Sequence, residues 1–302
     1  MNISPVSVSL MQTQVFGSLM SSAFGAKRDD SWASMFLLLV SNSAQLDQLS
    51  PGKFSFDPLS LLSQSSNIKG LSAAGRNMAL SDPESAYQMM TVINKDDVSY
   101  KAQFSELSEM KSWVFQMQDA GQSLGSIALS TGNDSIKSHL QGFAGQYNNW
   151  IQRFNPDIQQ GGLLADTQAA QASKFELEQN VNNRIFGIKD GVHGLSDLGF
   201  TIDLNTKLAS MDTAKLDSLL ATNKQGVVDT LQEFSANFAK SASLLNSDGN
   251  FILKQLDNLN RAIHFITDNK ASLQEEFGTG NAAKPTGQVA QALAAYNQTY
   301  GT

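Results

Sequence analysis

Apolar residues recur along this chain at helical spacing far more often than at strand spacing. Between Val98 and Leu124 they fall at Leu107, Met110, Val114, Met117 and Leu124, with Gly121 in the intervening slot. The alternation of three and four makes a heptad seam, which buries one stripe of a helix against another helix. A second seam near the other end, at Ile252, Leu256, Leu259, Ile263, Ile266, Leu273 and Phe277, repeats the alternation, with Lys270 as its polar exception. Two long helices with narrow apolar stripes are therefore predicted to pair. Apart from Gly121 and Phe277, these seam positions are the candidate assembly residues.

The stretches around and between the seams are punctuated by caps and turns. Asp82 suits an N-cap and Pro83 a first helical position, so a helix is predicted to begin at Pro83. Ile136, Leu140, Phe143, Tyr147 and Ile151 make another helix face, predicted to end at Asn155-Pro156 because a residue before proline disfavours the helical region. Gly161-Gly162 mark a turn, after which Asp166 or Thr167 caps a helix carrying Phe175, Leu177, Val181 and Ile185. Beyond Gly187 the period shortens to two: Phe200, Ile202 and Leu204 alternate with Thr201 and Asp203. A hairpin through Asn205-Thr206 to Lys207, Leu208 and Met211 follows from that. Asp212 then caps a helix through Leu216, Leu219 and Leu220, and Gln225 starts another through Val228, Leu231, Phe234 and Phe238. Asn246-Ser247-Asp248-Gly249 is a strong turn.

The fold expected from this pattern is mainly α, an elongated helical bundle or coiled coil pairing the N- and C-terminal long helices, with a small β-hairpin near 200–211. Residues 1–80 read as a loosely ordered N-terminal region, 81–278 as the helical domain and 279–302 as a flexible C-terminal tail.

Composition narrows the function classes. A net charge of -7 without a run of basic residues argues against nucleic-acid binding, which needs a clustered Lys/Arg face. The absence of cysteine excludes disulfides, thiolate metal sites and a cysteine nucleophile. The longest apolar run, Ala33 to Val40, is interrupted by Ser34 and falls far short of the ~20 residues that span a bilayer, so membrane insertion is not expected. The first 26 residues carry no charged side chain. A frayed terminus and an uncleaved export signal are both compatible with that composition.

No catalytic constellation emerges. His139, His193 and His264 lie in unrelated segments without metal-ligand spacing, and no phosphate-cradling glycine motif occurs. Glu106 and Glu109 share a helix face and read as solvated; Ser247 to Asn250 reads as a plain turn; the tryptophans and seam methionines read as packing. An enzyme and a cofactor are not expected.

The segment from about Tyr100 to Phe277 resembles the leg of the flagellar filament-capping protein family, hook-associated protein 2. Tyr100 to Gln118 is similar to that family's first leg helix. Phe143, Tyr147 and Asn148 match its returning F-V-x-x-Y-N helix, with Ala144 in place of the aliphatic residue. Gly162, Leu164 and Asp166 are similar to its G-x-L-x-G-D, with Ala165 replacing glycine. Leu195, Leu198, Gly199, Leu208, Asp212, Leu216, Leu220, Asn223 and Val227 mirror its leucine, glycine, hairpin and aspartate series, with Asn205-Thr206-Lys207 where the family has D-G-T. The large β-rich head domains that form the cap's plate have no counterpart, since only Gly125 to Ser135 lies at their place, and residues 1–99 have no match in the family. The resemblance implies a non-enzymatic assembly component of the extracellular flagellum, exported without cleavage. Flagellin or hook–filament junction proteins, an export chaperone and further copies of the chain would be its partners. A cytoplasmic accessory protein that binds flagellar subunits or their chaperones is the alternative.

Overall fold

Helix α1, Pro83–Gly125, begins where the cap signal places it: the Asp82 carboxylate accepts from the Ser85 backbone N–H at 3.0 Å. It then runs without a break for 43 residues, about 65 Å at 1.5 Å per residue. The structure is a computed structural model and describes residues 68–185 and 192–301. The uncharged N-terminal 26 residues and the apolar run from Ala33 to Val40 lie outside the described residues. Everything described belongs to one unit, Asn67–Thr302.

After α1 come α2 (Asn133–Ile158), α3 (Gln168–Asn182), strands β1 (Phe200–Ile202) and β2 (Ala209–Met211), α4 (Thr213–Thr222), α5 (Lys224–Leu245), α6 (Phe251–Asp268), α7 (Lys270–Phe277) and α8 (Gly287–Tyr300). The described chain is mainly helical with one two-stranded antiparallel sheet, as the periodicity indicates. The strands pair Phe200 with Met211, Thr201 with Ser210 and Ile202 with Ala209.

The two seams meet directly, and α1 also has a further partner: it packs most extensively on α5, next on α8, and then on α6 and α7. The α5 stripe of Val228, Leu231, Phe234, Phe238, Ala242 and Leu245 is buried and wider than a heptad seam. Gly121 is the point of closest approach, since a Cβ there would stand 2.4 Å from the Phe238 ring. The second seam is not one helix either. α6 ends at Asp268 and α7 begins at Lys270, with Asn269 between them at φ -100, ψ 10, so the polar exception in the seam marks a break.

Three other expectations need correction. Pro156 does not end α2, which continues to Ile158. A proline one turn from a helix end removes a single backbone hydrogen bond, and the extra turn brings Ile158 into the core. Residues 68–80 are not loosely ordered: a bridge joins Leu71 to Asn77, Asn77 Nδ2 donates to the Glu275 carbonyl at 2.7 Å, and Thr279 N–H donates to the Gly75 carbonyl at 2.9 Å. The C-terminal stretch is not a free tail, because it carries α8, which packs on α1. There Phe104 meets Tyr296 and Tyr300 edge-on, at 5.8 and 5.3 Å between ring centroids.

Candidate functional site

Some of the residues that carry the family resemblance meet where α2, the hairpin, α4 and α5 come together, whereas Gly162, Leu164 and Asp166 lie apart from them in the α2–α3 connection. Phe143 is the centre of the hairpin locus, with ring centroids 6.0 Å from Phe200, 5.3 Å from Phe234 and 5.1 Å from Phe238. One turn on, Tyr147 is buried, and burial holds its hydroxyl pKa well above the ordinary tyrosine value. Asn148 clasps β2 in both directions: its Nδ2 donates to the Ala209 carbonyl at 2.9 Å, and its Oδ1 accepts from the Ala209 N–H at 2.6 Å. That pair of bonds gives an edge strand the partner that a two-stranded sheet lacks.

The other matched residues have equally definite duties. Gly162 sits where a Cβ would press to 2.3 Å from the Asp157 carbonyl, and Leu164 donates its N–H to that same carbonyl at 2.8 Å. Gly199 has φ +93 beneath the Asp212 carbonyl, which only a residue without Cβ fits. Asp212 caps α4 by accepting from Lys215 N–H, and Asn223 caps α5 by accepting from Gly226 N–H, one residue earlier than Gln225 implied. Leu195, Leu198, Leu216, Leu220 and Val227 are buried. Of the two cap candidates for α3, Thr167 holds the position, but its hydroxyl donates back to the Leu164 carbonyl and leaves the helix N–H groups alone.

Where the family has D-G-T, the turn is closed by Asp203. Its carboxylate accepts from Asn205 N–H, Thr206 N–H and the Thr206 hydroxyl, and the Thr206 N–H bond leads the effects that hold its pKa below the usual value. The left-handed position falls on Lys207, with φ 61.

Among the described residues the largest charged cluster lies between α1 and α2, and it involves the two glutamates read as solvated. Arg153 donates to Glu106 at 2.7 Å, to both oxygens of Glu109 at 2.6 and 3.0 Å, and to Asp157 at 3.0 Å. Burial raises the pKa of Glu106 and of Asp157 against the pull of Arg153. Burial also works against the Arg153 cation, yet its hydrogen bond to Glu109 and the nearby Glu106 charge raise its pKa. Glu106 and Glu109 sit on α1, and Arg153 and Asp157 on α2, so the cluster is a polar clamp between helices. The i, i+4 spacing of Arg153 and Asp157 signals in sequence only the pair within α2, not the bonds to α1.

All the candidate seam residues, Leu107, Met110, Val114, Met117, Leu124, Ile252, Leu256, Leu259, Ile263, Ile266 and Leu273, are buried within the chain, at most 8% exposed. The seams are closed by the protein's own helices. The histidines do not meet: His139 bonds the Ser135 carbonyl on α2, His264 is exposed on α6, and His193 lies in the segment before β1. Among the described residues no group of three or more His, Asp or Glu side chains could hold a metal ion, and no helix is long and apolar enough to cross a membrane.

Comparison of the chain with protein-family models, curated proteins and solved structures returned no match.

Proposed function

We propose that this chain is a non-enzymatic assembly component of a bacterial flagellum, organised like the leg of a filament-capping protein and without its plate. The observation that carries the reading is the meeting of some of the matched residues around the hairpin. Phe143, Asn148, Gly199, Asp212 and Asn223 serve there as aromatic centre, strand clasp, close-approach glycine and helix caps, while Gly162 and Leu164 shape the α2–α3 connection.

Two further features support it. The connection from α1 to α2 is only residues 126–132, so the helices that would flank a head domain are joined directly. Arg153 joins Glu106 and the buried Asp157 between two helices, which is scaffold work. Because the apolar seams are closed internally, assembly with flagellin, hook–filament junction proteins or further copies uses other surface of the molecule.

Shearing filaments from the bacterium that makes this protein and probing them with a specific antibody tests the proposal. The protein is expected in the sheared fraction at its full length. A soluble cytosolic complex with a flagellar subunit or chaperone, and no protein in the filaments, contradicts it.

A further inference from the structure

Helix α8 is held lightly. Ala292 is its one buried residue, whereas α6 buries Ile252, Leu256, Leu259, Ala262, Ile263 and Ile266. Val289, Leu293, Tyr296 and Tyr300 make a stripe at helical spacing, yet the first three are only half-buried and Tyr300 is 47% exposed. The ring contacts of that stripe are the edges that Tyr296 and Tyr300 present to Phe104 of α1, itself half-buried. No residue of α8 is charged, and among the described residues no hydrogen bond or ion pair joins residues 282–300 to the rest of the chain.

The residues just before it are held in the opposite way. Thr279 N–H donates to the Gly75 carbonyl at 2.9 Å, and Asn281 N–H donates to Thr91 Oγ1 at 2.8 Å. Tyr87 donates its hydroxyl to Asn281 Oδ1 at 2.8 Å, and Asn94 Nδ2 donates to the Thr279 and Asn281 carbonyls, both at 3.0 Å. Pinned backbone therefore stops at Asn281. After residues 282–286, Gly287 opens α8 at φ +56 with nothing within 4 Å of where a Cβ would stand, so the chain turns there in open space.

We infer that α8 is a latch, which opens as a unit about residues 282–287 while the rest of the fold stays closed. Opening uncovers Phe104 on α1 together with the stripe of α8, and closing hides both, so the latch gates an aromatic contact surface. A helix of 14 residues is marginal by itself in water, so α8 unwinds when it leaves α1. The bonds at Thr279 and Asn281 remain and confine the opening to the residues beyond them. The latch does not depend on the flagellar reading.

Hydrogen–deuterium exchange of the full chain, resolved to peptides by mass spectrometry, tests this. Amides of α8 are expected to exchange at least about 100-fold faster than those of α6, which open only with the whole fold. Ala292→Asp places a carboxylate at the buried position of α8 and should bring α8 to the rate of unstructured chain with α6 unchanged. Tyr296→Ala, which removes one of the two ring contacts, should also speed α8 alone. Equal protection of α8 and α6 in the parent overturns the inference. So does a loss of protection from α6 together with α8 in Ala292→Asp, or an α8 rate that neither substitution moves.

Discussion

Asn148 shows how much a single side chain does in this molecule. It lies on α2, yet it is the hydrogen-bonding neighbour of β2, so the returning helix and the hairpin are locked through one carboxamide. Replacing it by alanine removes both bonds. At about 1 kcal/mol each, Asn148→Ala is expected to cost about 2 kcal/mol by chemical denaturation. An unchanged midpoint would show that the hairpin holds itself. The sequence marks this residue as part of a pattern but not what it touches, because a bond across 61 positions leaves no local trace. Lys207 is the opposite case: nothing in its side chain signals φ 61, and the strain is visible only once the turn is built.

At the scale of elements, local chemistry was legible wherever it decided the outcome. Asp82, Asp212 and Gly249 mark boundaries because a cap or a left-handed turn is a property of a few adjacent residues. Partner choice was legible only in part: α1 does pack on the C-terminal helices, as the paired stripes indicate, but a heptad stripe does not say which further helix joins them, and α5 is its most extensive partner. The clamp was not legible, because Glu106 and Glu109 look like any solvated pair until Arg153 arrives from another helix. Arg153→Met leaves Glu106 and Asp157 without their cation and is expected to destabilise the fold by about 3 kcal/mol at neutral pH. The loss should shrink toward pH 4. Burial already raises both carboxyl pKa values, so they take up protons on acidification and the uncompensated charge disappears. A loss independent of pH would mean that Arg153 acts through packing on the Phe154 ring alone.

Asp96, on the N-terminal half of α1, makes a second pH-dependent contribution. Burial pushes its carboxyl up to about 6 from 3.8, partly offset by Lys95. Between those values the folded chain holds a proton that the unfolded chain has released, so this contribution to stability falls as pH rises through the window and is level above it. Asp96→Asn removes the dependence. After discounting for partial exposure, it is expected to stabilise by about 1 kcal/mol at pH 7 and to be neutral near pH 3.5, read from thermal melts at both values.

For the whole molecule, the hydrophobic period was enough to establish a mainly helical fold with one small hairpin. It was not enough to find the limits of the unit. Residues 68–80 and α8 join α1 and α7 through backbone turns, polar contacts and aromatic edges, which carry no periodic signal. The seam residues are buried within the chain, where the apolar stripes hold the protein together. The central claim, that this is an exported part of the flagellum, is tested most directly by fractionating cells with and without a working flagellar export gate. The protein is expected in the extracellular or filament fraction only when the gate works, with the same mass in both strains. An unchanged cytosolic distribution in the two strains would contradict it.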